Sequence, residues 1–161
     1  EATGYRVGAV SLPDPQTGHY TAEIPIAPAM LSGPEISTGA QLARDGFNAT
    51  AGMVSQTWRP IATRGFASFG AGEFSLTRGE FYQGFRSGVP LALGAVGADF
   101  AWARSTADGA VPWGEQKFER INGRLQLAAP GRQTDLFAGY QAKMFGWPNL
   151  YTPFNYLKQS A

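Results

Sequence analysis

The chain has 161 residues, which is enough for a domain with its own hydrophobic core. Its 13 basic and 12 acidic side chains nearly cancel, so the overall charge does not suggest a nucleic-acid partner or an anionic membrane surface. The absence of cysteine excludes disulfides, thiol catalysis and thiolate metal sites. No apolar run approaches the roughly 18 residues of a membrane helix, and the first residues show no signal-peptide pattern.

The N-terminal part contains a turn-rich segment, "LPDPQTGHYTAEIPIAPAML" at residues 12–31. Asp-Pro and Thr-Gly pairs are turn formers, and the prolines that follow allow at most one helical turn, at Pro28–Leu31. The segment is therefore predicted to be neither a long helix nor a regular strand.

From Asn48 onward the apolar residues recur with period two, which is typical of β-strands with one apolar and one polar face. In the clearest example, Leu136, Ala138, Tyr140, Ala142 and Met144 share one face, and Phe137 is an exception on the other. The predicted strands are Met53–Trp58, Gly65–Gly72, Gly79–Arg86, Leu91–Arg104, a strand centred on Ile121–Leu127, and Thr134–Gly146. The sequence therefore predicts an all-β fold.

The connections between the predicted strands alternate in length. They are short at 87–90 and at 130–132, and long around 107–115 and after Trp147. An antiparallel meander with short turns at one end and long loops at the other is typical of an outer-membrane β-barrel, in which Trp102, Phe145 and Trp147 would suit the aromatic girdle. A soluble sandwich or lipocalin-like barrel has the same periodicity and remains an alternative.

Two stretches, "VGAVSLPDPQTGHYTAEIPI" and "ISTGAQLARDGFNATAGMVSQTW", resemble the plug domain of TonB-dependent outer-membrane receptors. The resemblance rests on an Asp-Pro-Gln-Thr-Gly-His loop at 14–19, on the Ile-Pro-Ile at 24–26 and on the approach to the barrel at 48–52. Residues 131–155 are similar to a barrel strand and extracellular loop of the same family. The chain departs from the family pattern at "PEISTGAQL" and at Ala9.

The resemblance implies that residues 1–60 are the C-terminal part of a plug domain and that residues 61–161 are the first strands of a large transmembrane β-barrel. It also implies a bacterial outer-membrane transporter that takes up a large nutrient complex, such as a ferric siderophore or cobalamin, with energy relayed through TonB. The alternative function, which does not depend on the resemblance, is a soluble all-β ligand-binding module.

Two sets of candidate site residues follow from this interpretation. The ligand-binding candidates are Asp14, Gln16, Thr17, His19, Tyr20, Trp147 and Tyr151. The candidates that would line the barrel lumen are Arg120, Arg124, Asp135, Gln141 and Lys143. We predict no catalytic residues, because the sequence has a single histidine and no nucleophile-elbow motif. We predict no metal or cofactor, because the single histidine is not accompanied by a set of further metal ligands.

The family barrel has about 22 strands, whereas this chain offers about five. Five strands would leave two open edges, and each unpaired backbone group in lipid costs several kcal/mol. The resemblance therefore implies three partners besides TonB: outer-membrane lipid, the transported ligand, and further strands from the rest of the polypeptide or from other chains.

Overall fold

The computed structural model describes residues 3–12, 24–39, 52–87, 94–111 and 113–146. For these residues the predicted all-β fold is confirmed, since they form nine strands in two sheets and the short 3-10 helix Pro28–Met30. The chain divides into two compact units, Glu1–Pro60 and Ile61–Ala161.

The N-terminal unit contains a four-stranded sheet with the order β2-β1-β4-β3. Its strands are β1 (Thr3–Val7), β2 (Val10–Ser11), β3 (Glu35–Ser37) and β4 (Gly52–Gln56). Strand β1 pairs in parallel with β4, and β2 and β3 pair antiparallel at the two edges. Gly8, with φ of +59°, makes the tight turn from β1 to β2, where a residue with a side chain would be strained.

The core of this unit combines both central strands with the 3-10 turn. Tyr5 and Val7 of β1, Met53 of β4, and Met30 and Leu31 of the turn are all buried. The Tyr5 hydroxyl donates a hydrogen bond to Gln56 Oε1, and burial raises the pKa of the Tyr5 phenol. Tyr5 therefore remains a protonated donor well into the alkaline range.

The C-terminal unit contains a five-stranded antiparallel meander in which every strand pairs with its neighbour in sequence. Its strands are β5 (Arg64–Ala71), β6 (Thr77–Arg86), β7 (Ala95–Ala107), β8 (Gln116–Ala129) and β9 (Arg132–Phe145). The predicted strand at Leu91–Arg104 corresponds to β7, which begins at Ala95 and continues to Ala107; residues 91–93 lie outside the described part. Strands β5 and β9 are the edges of the sheet.

The connections depart in part from the predicted alternation. Pro130 and Gly131 form the predicted tight turn between β8 and β9, with Gly131 at φ of +69°. At the end of the sheet where long loops are predicted, β7 and β8 are joined by residues 108–115, but β5 and β6 are joined by only the five residues 72–76. These two strands pair nearly to the turn, as the register of Ala71 with Thr77 shows.

The two faces of the meander have opposite chemistry. One face, here called the polar face, carries Tyr82, Asp99, Asn122, Arg124 and Gln126, all of which are buried. The other, here called the apolar face, carries Phe81, Phe100, Leu125, Leu136 and Tyr140, all of which are exposed. This is the reverse of a water-soluble sheet, whose apolar face packs on a core.

Candidate functional site

The centre of the polar face is an ion pair between adjacent strands. Asp99 of β7 and Arg124 of β8 are directly opposite in the register, and both side chains are 0% exposed. The Arg124 guanidinium donates from Nη2 to Asp99 Oδ2 over 2.7 Å and from Nε to Asp99 Oδ1 over 3.1 Å. This bidentate geometry is the strongest form of the arginine–carboxylate interaction.

The pair extends into a network across four strands. Arg124 Nη1 lies 3.5 Å from Asp135 Oδ1 of β9, and Gln126 Nε2 donates to the same oxygen over 2.9 Å. On the other side, the Tyr82 hydroxyl of β6 donates to Asp99 Oδ2 over 3.1 Å. Each charged group is therefore compensated, as burial in a low-dielectric environment requires.

The segment that enters β5 is fixed to this network. The backbone N–H of Ile61 donates to Gln126 Oε1 over 3.1 Å, and the Ile61 side chain is buried. It lies against Gly97, where an added Cβ would come within 2.9 Å of Ile61 Cβ. At Gly84, an added Cβ would lie 2.5 Å from the Ala62 carbonyl oxygen. The two glycines form the depression that accepts Ile61–Ala62.

The predicted lumen residues all share the polar face, because their register positions differ by even steps from Arg124 and its partners. Arg124 and Asp135 belong to the buried network. Arg120 and Gln141 are half-buried and face each other on β8 and β9, and Lys143 is exposed two residues further along. The Gln141 Oε1 atom is buried without a hydrogen-bond partner among the described residues.

Aromatic rings accompany the cations at this end of the polar face. The Arg120 guanidinium lies 5.4 Å from the centre of the Phe118 ring, and Lys143 Nζ lies 4.9 Å from that of Phe145. The prediction that Phe145 belongs to the aromatic girdle is therefore wrong, because Phe145 pairs with Gln116 on the polar face. Trp102 does lie on the apolar face, and Trp147 lies outside the described residues.

The apolar face is ordered in layers along the strands. Phe81, Trp102, Ile121 and Tyr140 are side by side in the register across β6 to β9. These three aromatic side chains and one isoleucine are here called the aromatic layer. Beyond this layer, toward the end of β7, come Arg104 and Thr106; in the opposite direction come Phe100, Ala98 and Val96. On β7 an apolar stretch thus ends at the aromatic layer, and Arg104 follows on the far side of it.

The ligand-binding candidates Asp14, Gln16, Thr17, His19, Tyr20, Trp147 and Tyr151 all lie outside the described residues. The structure neither brings them together nor separates them.

The candidate residues from the sequence omit three members of the polar network, Tyr82, Asp99 and Gln126. Tyr82 was hidden because β6 carries aromatic rings on both faces, so its period-two pattern is weak. Gln126 could have been found, because it is two residues from Arg124 on the same strand and therefore on the same face.

Within the described ranges, no group of three or more histidine, aspartate or glutamate side chains is arranged to hold a metal ion. Among the same residues, none forms a helix that is long and apolar enough to cross a membrane. Comparison with known proteins gives no match to the chain, whether by protein-family model, by curated protein or by solved structure.

Proposed function

We propose that the chain is part of a bacterial outer-membrane receptor of the TonB-dependent kind. In this proposal the N-terminal unit is the latter part of the plug, and the five-stranded meander is a segment of the barrel wall. The polar face looks into the lumen and the apolar face looks into lipid. The receptor takes up a large nutrient complex of the ferric siderophore or cobalamin type by displacement of the plug, without covalent chemistry.

The observation that carries the proposal is the reversed polarity of the meander. Leu125, Leu136 and Tyr140 are 55%, 69% and 58% exposed, whereas the Arg124 side chain is 0% exposed. An exposed apolar surface of this extent marks a binding or membrane surface. The soluble alternative, a lipocalin- or sandwich-like module, would need these three side chains in its core.

The dimensions of the apolar face support the same interpretation. From Val96 to the aromatic layer at Trp102, the outward residues of β7 span six steps, or about 20 Å at about 3.3 Å per residue. The apolar band of outer-membrane barrels is about 25 Å tall and is bordered by aromatic girdles. Strands of 13 and 14 residues exceed the roughly 9 to 11 that cross a bilayer, which leaves an extension on one side.

The buried polar network fits a lumen that is filled by protein. In a wide barrel the inward side chains meet either water or a plug, and charges that lose contact with water must be paired. Asp99, Arg124 and Asp135 are paired in this way. In the proposed receptor, the remaining wall comes from further strands that pair with β5 and β9, and TonB acts on the plug.

A substitution at the centre of the apolar face tests the proposal. Leu136 lies midway along the apolar stretch, since its register partners are Leu125 and Ala98. An arginine on the lipid face costs about 2–4 kcal/mol at the bilayer midplane and about 0–1 near the interface. Leu136→Arg should therefore reduce the fraction of the chain that floats with phosphatidylcholine vesicles in a density gradient by about 30-fold or more.

Thr134→Arg is the matched control, because Thr134 is on the same strand and face but nearer its end. It should change flotation by about fivefold at most. If the unmodified chain remains a monodisperse monomer in detergent-free buffer and does not float, the membrane assignment is wrong and the soluble module is the better hypothesis.

A further inference from the structure

Beyond the aromatic layer, the end of the apolar face forms an open groove of about 250 Å³. Arg104, Lys117 and Glu119 line it from the apolar face, together with the hydrocarbon surface of Ala142 and Met144. A third cation, Lys143, and Phe118 border it at positions that belong to the polar face. The groove thus combines excess positive charge with hydrocarbon surface, although the chain as a whole has a net charge of only +1.

Two of these cations have no charged partner within the part of the chain that the structure describes. Arg104 and Lys117 are exposed, and neither forms an ion pair there. Glu119 lies opposite Arg104 in the register but accepts a hydrogen bond from Trp102 Nε1 at 3.5 Å. The Thr106 hydroxyl, 2.7 Å from that of Thr77, lies beside Lys117.

The cations follow directly on the apolar face. Arg104 is the next outward residue after Trp102 on β7, a step of about 7 Å, and Lys117 is the second outward residue after Ile121 on β8, about 13 Å away. Tryptophan and tyrosine in membrane proteins lie at the level of the lipid headgroups. Side chains one or two steps further out therefore reach lipid phosphates, and their aliphatic stems can extend along the surface.

We propose that Arg104 and Lys117 bind the phosphate of an anionic membrane lipid whose acyl chains lie along the apolar face beside Tyr140 and Ala138. This inference rests on the proposed function, because it requires lipid on that face. The occupant is defined by charge complementarity to an anion and by continuity of the groove with the apolar stretch. Neither a free anion nor a neutral lipid satisfies both parts of the groove.

The experiment uses tryptophan fluorescence of the full chain in detergent micelles. Phosphatidylglycerol and phosphatidylcholine carrying brominated acyl chains are added separately, since bromine quenches a nearby indole. Trp102→Phe identifies the part of the signal that comes from the apolar face. We expect brominated phosphatidylglycerol to quench Trp102 at a lower mole fraction than brominated phosphatidylcholine.

Charge removal should abolish that preference. A lysine or arginine near an anionic membrane surface contributes about 1 kcal/mol, so Arg104→Gln and Lys117→Gln should each reduce the preference about fivefold, and together about 25-fold. Arg132→Gln removes an exposed cation from the opposite end of the same face and should leave the preference unchanged. The exchange pair Arg104→Lys with Lys117→Arg keeps both charges and should keep the preference, which separates loss of charge from loss of fold.

Three results would overturn the lipid site alone, and two of them are equal quenching by both lipids and an equal loss in Arg132→Gln. Displacement of phosphatidylglycerol by millimolar inorganic phosphate would also overturn it, because the groove would then bind a free anion. If neither lipid quenches Trp102 at any mole fraction, the apolar face does not contact lipid, and the proposed function fails as well.

Discussion

At the scale of single residues, the sheet depends on how its buried charges are compensated. Arg124 donates to two carboxylates from three of its nitrogen positions. Taking such an ion out of water costs several kcal/mol, which the attraction to a partner only offsets when the geometry is good. The pair therefore contributes to stability mainly because each ion would be costly without the other.

Removal of one partner should expose that cost. Arg124→Met leaves Asp99 and Asp135 buried without their cation and should lower the free energy of unfolding by about 3–5 kcal/mol. Chemical unfolding in lipid vesicles, followed by tryptophan fluorescence, measures the change. Combination with Asp99→Leu should recover part of the loss, because no isolated charge then remains at Asp99.

The control for this prediction is the exposed ion pair between Arg78 and Glu80. Arg78 is 64% exposed, and pairs in contact with solvent contribute about 0–1 kcal/mol. Arg78→Met should therefore have little effect. If Arg124→Met lowers the free energy of unfolding as little as Arg78→Met does, the Asp99–Arg124 pair is hydrated in the folded protein.

At the scale of elements, glycines on the two faces of the meander have different roles. On the polar face, Gly97 accepts the Ile61 side chain, and a Cβ there would lie 2.9 Å and 3.1 Å from two Ile61 carbons. On the apolar face, Gly123 has open space around the position of an added Cβ. The first glycine is required by packing, and the second is not.

A pair of alanine substitutions should separate these roles. Gly97→Ala displaces Ile61 and should destabilise the sheet by about 1–3 kcal/mol, as overpacking does. Gly123→Ala meets no atom and should be neutral or stabilising by about 0.5–1 kcal/mol, since glycine weakens strand interiors. The same unfolding measurement compares them, and a loss in Gly123→Ala as large as in Gly97→Ala would contradict the packing explanation.

The elements were predictable from the sequence in proportion to the strength of their alternation. In β7 and β9 the period-two pattern is strong, so Trp102, Leu136 and Tyr140 were assigned to the correct face. The period-two pattern could not reveal that Gly97 accepts Ile61, because that contact joins the polar face to a non-strand segment 36 positions earlier in the chain. The 3-10 turn was predictable as a single turn because prolines limit it.

At the scale of the whole molecule, the meander is an open sheet with β5 and β9 at its edges. Alternation predicts which residues share a face, but it carries no information on the pairing of distant strands. The parallel pairing of β1 with β4, for example, joins Tyr5 to Val54. The polar network was likewise only half predictable, because its partners are set by register across four strands.

The open edges predict how the purified chain behaves. In lipid or detergent, each unpaired backbone group on β5 and β9 costs several kcal/mol, so the chain should associate edge to edge instead of remaining a monomer. Light scattering coupled to gel filtration in detergent measures the mass of the protein component. A monomer of 17.2 kDa in detergent with native strand content would contradict the prediction.

The tight turn at Pro130 and Gly131 has a consequence for the order of assembly. Closure of this two-residue connection costs about 1 kcal/mol less chain entropy than closure of residues 108–115, because that cost grows with the logarithm of loop length. The hairpin of β8 and β9 also pairs along 14 positions. It is therefore the natural nucleus of the sheet, and its register determines where every later strand can be added.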